Sequence, residues 1–243
     1  MSYNRLYTYQ PCALRGLLAT LALALTLAAT NVSAHSALAN LSSKDQTTGL
    51  KTALTQAAQA AVGRLGKTDG FLADPEVRIP LPGKLEKAQR TLKMLGLNKQ
   101  TDELVTAMNR AAEAAVPEAK VLFISAIKQM SVTDALGILT GGEAAATQYF
   151  RATMTDKLAE RFLPIVGRET RKVELSERYN EVAGKLSQLG LVDTKDANLD
   201  SYVTNKALDG LFLVMAKEEA AIRKDPLGQS SSILKKVFGA IGR

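Results

Sequence analysis

The chain has 243 residues, 46% of them hydrophobic and 23% charged, and its formal net charge is +7. These proportions are typical of a folded globular protein rather than a disordered one. One cysteine, one histidine and no tryptophan are too few for the usual zinc, copper and haem ligand sets, so neither a metal nor a cofactor is predicted. Any chemistry would depend on carboxylates, Lys, Arg, Ser, Thr or Tyr.

The first 39 residues have the pattern of a secretory signal peptide. Arg5 and Arg15 form a positive n-region, and an uncharged stretch from Leu17 to Ala29 is rich in Leu, Ala and Thr. Small residues then give two A-x-A-like cleavage sites, one after Ala34 and one after Ala39. The alternative is an uncleaved anchor, but the apolar stretch of about thirteen residues is shorter than the ~20 that a spanning helix needs.

Cleavage would export the mature protein, and we predict that it resides in a bacterial periplasm. Loss of Arg5 and Arg15 would lower the net charge from +7 to +5, and Cys12 would be removed. His35 would be removed or left at the free N-terminus, so Cys and Ser-His-Asp nucleophiles are excluded. The remaining charge is spread along the chain, and nucleic-acid binding is therefore not expected.

From Asp45 to Pro226 apolar residues recur at helical spacing, and no stretch alternates convincingly as a strand does. This pattern predicts one all-α domain, an irregular helical bundle with two buried central helices. The central helices are predicted near Glu118 to Met130 and Asn198 to Arg223, because their apolar side chains point in nearly every direction.

Amphipathic helices are predicted around this pair, each bounded by a capping residue, a glycine or a proline. Their approximate ranges are 50–65, 85–95, 104–115, 132–139, 143–152, 155–172 and 176–189. Ser131, Thr155 and Ser176 are interpreted as N-caps of the helices that follow them. Pro164 is expected to kink the helix in which it lies.

A stretch of about seventeen residues, 67–83, separates the first two helices and contains three prolines. We call it the proline loop. Loops of this length are uncommon in compact domains and are often functional. Its candidate ligand-binding residues are Lys67, Asp69 and Arg78, where Arg78 offers a planar fork for a carboxylate or phosphate. The alternative, which we favour, is a structural loop held on the bundle by its apolar side chains, Phe71, Ile79 and Leu81.

One flank of the helix at 198–223 is polar, and we call it the polar face. Its residues follow one another at i, i+3, i+4 and i+7: Tyr202, Asn205, Lys206 and Asp209. Since the rest of this helix is apolar, the polar face is predicted to be half-buried or to line a groove, with its charges paired. The favoured interpretation is a structural Lys206–Asp209 pair, and the alternative is a ligand groove in which Asp209 acts as acceptor or base.

A further polar group lies on the helix predicted at 104–115 and consists of Asn109, Arg110 and Glu113. Arg110 and Glu113 fall opposite the apolar stripe of that helix. We therefore interpret them as a solvated i,i+3 ion pair, which contributes little to stability.

Residues 227–243 are predicted to form a linker and a short basic amphipathic helix. Its apolar arc consists of Ile233, Leu234, Val237, Phe238 and Ile241. Such a helix can dock on its own domain or lie in a membrane interface. We favour docking and keep peripheral membrane contact through this arc as the alternative.

Five segments stand out in chain order: Lys67–Leu72, Arg78–Pro82, Met108–Glu113, Tyr149–Arg151 and Lys206–Phe212. Together they resemble the bacterial domain-of-unknown-function 4197 family, with a likeness that extends from about Leu50 to Gly239. The resemblance implies an exported helical protein of Gram-negative bacteria and brings no catalytic residues. It includes parts of the proline loop and of the polar face, and also Arg110 and Arg151.

Three functions are compatible with the sequence. The first is a non-enzymatic module that binds a small anionic or lipid-like ligand or an envelope partner, in a groove where Arg78 and Lys206 face the anion. The second is a carboxylate-dependent hydrolase that uses Asp209 with Asp69 or Glu76 as acid and base. The third is a structural protein anchored at a membrane surface by its C-terminal helix.

Overall fold

The computed structural model describes residues 41–83, 94, 98–173, 176–177, 179–180, 198–225, 228 and 231–241. All regular elements within these ranges are α-helices packed on one another, so the predicted all-α bundle is confirmed. They are α1 Ser43–Leu65, α2 Asn98–Ala115, α3 Glu118–Gln129, α4 Val132–Thr140, α5 Ala145–Thr170, α6 Leu199–Lys224 and α7 Ser232–Ile241. The predicted signal peptide and the predicted helices at 85–95 and 176–189 lie wholly or mostly outside the described residues.

Local sequence determines where several of these helices begin. The side chains of Ser42, Ser131 and Asn198 each accept a hydrogen bond from a backbone N–H of the first turn of α1, α4 and α6. In α4 the carboxylate of Asp134 bonds back to the N–H of Ser131, which completes a capping box. These bonds satisfy N–H groups that a helix start otherwise leaves without partners.

Helix α6 lies at the centre of the described bundle, where it packs against α1, α2 and α5. Helices α5 and α6 run antiparallel, because Ala146 at the start of α5 meets Glu219 near the end of α6, whereas Thr170 meets Asp200. Helices α3, α4 and α7 pack on α1. The predicted burial of the helix at 198–223 is confirmed for most of its apolar residues, although Leu213 is 39% exposed.

The other helix predicted to be buried on most sides, α3, lies instead at the edge of the bundle. Its buried residues are Ala119, Phe123 and Ile127, which form a single stripe at i, i+4 and i+8. Val121, on another flank, is 72% exposed. Within the described residues the prediction was wrong because α3 packs mainly on α1 and α5, which leaves its other apolar side chains only partly covered.

The two helices predicted at 143–152 and 155–172 are one continuous helix, α5, with Pro164 inside it. Thr155 is not an N-cap. Its hydroxyl donates to the carbonyl oxygen of Arg151 at 2.6 Å, a bond that a threonine within a helix can make to the preceding turn. Threonine often begins a helix, but Thr155 lies in the middle of one.

Helix α7 docks on α1, as the favoured interpretation of the C-terminal segment predicts. Leu234, Val237 and Phe238 are buried, and Ile233 is partly buried against the same core. The side chain of Ile241 lies outside the described residues. Contact of this arc with a membrane would require α7 to leave α1.

No single helix among the described residues is long and apolar enough to cross a membrane. One pair of segments, Lys99–Gln129 and Val132–Thr140, meets the length and hydropathy criteria only when taken together, and the two are bent by 104° relative to each other.

The α1–α7 contact depends on a glycine. A Cβ atom at Gly49 would lie 2.5 Å from Cγ2 of Val237, whereas a Cβ at Gly63 of the same helix would meet nothing within 4 Å. We therefore expect Gly49→Ala to lower the free energy of unfolding by about 1–3 kcal/mol through overpacking. Gly63→Ala should raise it by about 0.5–1 kcal/mol, because alanine loses less backbone entropy in a helix.

Urea unfolding followed by circular dichroism measures both changes. Since the two substitutions are chemically identical and lie in one helix, opposite signs would identify the α7 contact as the cause. A stabilising effect of Gly49→Ala would contradict the docking of α7 seen here.

Candidate functional site

The proline loop is fastened to α2 by a buried asparagine. Oδ1 of Asn109 accepts from the N–H of Ile79 at 2.8 Å, and Nδ2 donates to the carbonyl oxygen of Ile79 at 2.9 Å and to that of Val105 at 2.8 Å. One side chain thereby satisfies both backbone groups of a buried loop residue, which would be costly to leave unpaired. The loop backbone at Ile79 is thus held by a side chain of α2.

A buried carboxylate fixes the earlier part of the loop. Oε1 of Glu113 accepts from the N–H groups of Phe71 and Leu72 at 3.0 and 3.1 Å, and Oε2 accepts from Nη1 of Arg110 at 2.6 Å. Nη2 of Arg110 also donates to Oδ1 of Asp69 at 2.7 Å. These hydrogen bonds, first to Glu113 and then to Asp69, raise the pKa of Arg110.

The interpretation of Arg110 and Glu113 as a solvated pair is therefore wrong for Glu113, whose side chain is 5% exposed. The helical wheel correctly separates it from the apolar stripe of α2, but the proline loop folds across that second flank and covers it. Asp69 enables this path with a left-handed backbone, φ 67°, a conformation that Asp adopts more readily than most residues.

The loop is also fitted to α6. A Cβ atom at Gly210 would lie 2.8 Å from Cε1 of Phe71, so only a glycine lets this ring approach α6 so closely. The hydroxyl of Tyr202, which is buried, donates to the carbonyl oxygen of Pro80 at 3.2 Å. With Phe71, Ile79 and Leu81 in the core, the structural interpretation of the loop accounts for its apolar residues.

An open depression of about 200 Å³ lies between the proline loop and α6. Its lining residues are Glu76, Val77, Arg78, Ile79 and Pro80 from the loop and Lys206, Asp209, Gly210 and Leu213 from α6. Of the candidate site residues, the structure thus brings together Arg78, Lys206 and Asp209. Lys67, Asp69 and Asn205 do not line the depression, and Tyr202 is buried beside it.

The polar face is more exposed than predicted. Asn205 and Lys206 are exposed, and the side chain of Asp209 is 58% exposed. Of the two predicted alternatives, half-burial is wrong for Asn205, Lys206 and Asp209, because this flank of α6 lies at the bundle surface. The other alternative agrees with the structure in part, since Lys206 and Asp209 line the depression.

The predicted Lys206–Asp209 pair is replaced by a contact between helices. Oδ1 of Asp209 accepts from Nη1 of Arg151 in α5 at 2.9 Å, and the guanidinium of Arg151 lies 4.8 Å from the ring centroid of Phe212. The ammonium of Lys206 lies 5.8 Å from the ring centroid of Tyr202 on its own helix. Asp209 is thus neutralised from α5, and Lys206 has no acidic partner in the part of the chain that the structure describes.

The other acid of the depression is neutralised as well. Glu76 accepts from the ammonium of Lys217 and lies 3.7 Å from Nη2 of Arg64. Arg64 also donates to Asp74 at 2.6 Å, a hydrogen bond that lowers the pKa of Asp74. Among the described residues, Arg78 and Lys206 have no acidic partner, so they are the uncompensated charges of the depression.

A second buried ion pair was not anticipated from the sequence. Glu219 of α6 accepts from the N–H groups of Ala146 and Thr147 at 3.0 Å each and thereby caps α5. Nη2 of Arg223 donates to Glu219 at 3.0 Å and to the carbonyl oxygen of Ile138 at 2.8 Å, at the end of α4. An i,i+4 Glu–Arg pair inside a largely apolar helix is the sequence signal that could have identified it.

The carboxylates of the hydrolase hypothesis do not all meet. Glu76 and Asp209 both line the depression, whereas Asp69 is bonded to Arg110 and does not line it. Within the described ranges, no group of three or more His, Cys, Asp or Glu residues could hold a metal ion.

The five segments that carry the family resemblance are neighbours in space, since they supply the proline loop, Asn109 to Glu113, Arg151 and the flank of α6. No curated protein matches the chain, and no solved structure does. The family model described as "Protein of unknown function (DUF4197)" matches residues 40–239, most of the chain. The protein therefore belongs to the DUF4197 family.

Proposed function

We propose that this protein is a non-enzymatic binding module that holds a small anion in the depression between the proline loop and α6. The observation that supports it is the distribution of charge. Arg78 and Lys206 line the depression without an acidic partner among the described residues, whereas Glu76 and Asp209 are each paired with a cation. An anion would complete this arrangement, because a guanidinium and an ammonium supply charge-assisted hydrogen bonds.

The size of the depression favours a small ligand over a lipid tail. Its volume of about 200 Å³ lies below the ~300–1,000 Å³ of pockets that enclose larger ligands. An acyl chain would remain largely in water, where its apolar surface gains little. We therefore narrow the small anionic or lipid-like ligand of the sequence analysis to a small anion or an anionic headgroup.

The rigidity of the loop supports binding. Arg78 precedes Ile79, both of whose backbone groups bond to Asn109, and Pro80 is held by the hydroxyl of Tyr202. A cation on a fixed backbone loses less freedom when a ligand binds, which leaves more of the interaction free energy for affinity. We also propose that the module acts in the periplasm after loss of residues 1–39.

We expect Arg78→Ala and Lys206→Ala each to weaken anion binding roughly tenfold to hundredfold. The reason is that a hydrogen bond to a charged group contributes about 1.5–3 kcal/mol, and 1.4 kcal/mol corresponds to about a tenfold change in affinity. The measurement is the thermal shift of the protein across a panel of phosphate, sulfate, acetate, succinate and short fatty acids, with affinities obtained by calorimetry for the anions that respond.

Arg161→Ala and Lys157→Ala are the matched controls, since both are exposed cations on α5 and do not line the depression. They should leave the response unchanged. Equal responses of wild type, Arg78→Ala and Lys206→Ala to every anion would eliminate this site.

A further inference from the structure

We propose that the anion is a phosphoryl group in its dianionic form, bound by Arg78 and Lys206 together. This inference rests on the proposed function and names the chemistry of its ligand. It is argued from the charge balance of the depression, from the chemistry of the two cations that line it without an acidic partner among the described residues, and from its partly apolar wall.

The charge balance of the depression favours a ligand with two negative charges. The ion pairs around the depression join Arg64, Lys217 and Arg151 to Asp74, Glu76 and Asp209. Each of these acids has a cation, so among the described residues the surplus consists of Arg78 and Lys206. A monoanion would leave one cation without a counter-charge, whereas a dianion would neutralise both.

Arg78 and Lys206, which have no acidic partner in the described ranges, suit a single tetrahedral centre. A guanidinium presents two parallel N–H donors to two oxygens of a phosphoryl group, and an ammonium acts as a point charge toward the third. Both residues line one depression of about 200 Å³, so a ligand held there lies beside both. A dicarboxylate carries the same charge, but it spreads this charge over two separate planar groups.

The wall of the depression is apolar in part. Val77, Ile79, Pro80, Gly210 and Leu213 contribute to the lining, and Leu213 is 39% exposed. A short organic substituent of a phosphate monoester could rest on this wall, and so could the glycerol part of a lipid headgroup. The two sources share the phosphoryl chemistry and differ in whether the ligand is free or in a bilayer.

The test measures the affinities of inorganic phosphate, sulfate, succinate and acetate by calorimetry at pH 7.5 and pH 5. Phosphate and sulfate should bind at least tenfold more tightly than acetate at pH 7.5. At pH 5 phosphate affinity should fall by at least about tenfold relative to sulfate, because inorganic phosphate is almost entirely monoanionic at pH 5 whereas sulfate stays dianionic. Sulfate also serves as the control for protonation changes in the protein, because these affect both ligands alike. The charged groups around the site are Asp74, Glu76, Asp209, Arg64, Arg151 and Lys217.

Two further arms distinguish the sources. Glycerol 3-phosphate reports the free ligand, and vesicles containing phosphatidic acid, compared with phosphatidylcholine alone, report the headgroup. In either arm the binding must be lost in the Arg78→Ala/Lys206→Ala double variant and kept in the Arg161→Ala/Lys157→Ala double variant.

The failures of the two proposals are separable. Acetate or succinate binding as tightly as phosphate, with the same dependence on Arg78 and Lys206, would overturn the phosphoryl assignment and leave an anion site. Unchanged relative affinities of phosphate and sulfate between pH 7.5 and pH 5 would also overturn it. Absence of any binding that depends on Arg78 or Lys206 would overturn both.

Discussion

Replacement of Glu219 by alanine should lower the free energy of unfolding by about 3–5 kcal/mol, the usual cost of removing one partner from a buried ion pair. The carboxylate is 7% exposed and the guanidinium of Arg223 is 13% exposed, so the remaining charge would be left largely out of water. The substitution also deprives the N–H groups of Ala146 and Thr147 of their acceptor at the start of α5. Chemical unfolding of the purified protein measures the loss.

Glu218→Ala is the control for this prediction, because Glu218 is the neighbouring residue of α6 but is only half-buried. Its effect should stay within about 0.5 kcal/mol, as for most surface substitutions. A loss for Glu219→Ala no larger than that for Glu218→Ala would show that the pair does not join α4, α5 and α6 in solution.

Glu113→Ala should lower the free energy of unfolding by about 2–4 kcal/mol, because a buried donor left without an acceptor costs about 1–3 kcal/mol. It would leave the N–H groups of Phe71 and Leu72 without an acceptor and remove one of the two carboxylates bonded to Arg110. Because the proline loop forms one wall of the depression, we expect anion binding to weaken as well, although Glu113 does not line it. Hydrogen exchange at Phe71 and Leu72 should accelerate more than exchange in α6.

Two variants separate the contributions of Glu113. Glu113→Gln keeps an acceptor oxygen and removes the charge, and its loss of stability should therefore be intermediate. Glu103→Ala, an exposed glutamate of the same helix, should change neither stability nor loop exchange. Slow exchange at Phe71 and Leu72 in Glu113→Ala would mean that the loop is held without this carboxylate.

The fold class and most helix ends could be predicted because they depend on neighbours in sequence. Ser131 and Asp134 lie three residues apart and form their capping box wherever α4 packs. Gly66 likewise ends α1 through its own backbone. Thr155 shows the limit of such local signals, since the same hydroxyl can cap a helix or bond to the preceding turn, and only the continuation of α5 decides.

Burial was harder to predict because it depends on which elements lie nearby. Val121 belongs to a run of apolar residues that looks like a core helix, yet this flank of α3 is largely uncovered. Glu113 looks solvated on a helical wheel and is covered by a loop that lies about forty residues earlier in the chain. Periodicity identifies the sides of a helix but does not say which of them will be covered.

The candidate site was predicted in part for the same reason. The proline loop and the polar face were singled out separately, and Tyr202 does join them through Pro80. The partner of Asp209 could not be predicted, since Arg151 lies 58 residues away on another helix. Lys206, only three residues from Asp209, was the nearer choice by sequence, but its ammonium is oriented toward Tyr202.

The docking of α7 on α1 also constrains how the protein can fold. The ion pair between Lys236 and Asp45 joins residues 191 positions apart, and Gly49 meets Val237 beside it. Closure of so long a segment is slow, since chain entropy must be lost before the contact stabilises anything. One side of α1 must therefore stay uncovered during synthesis until the residues near position 237 have been made.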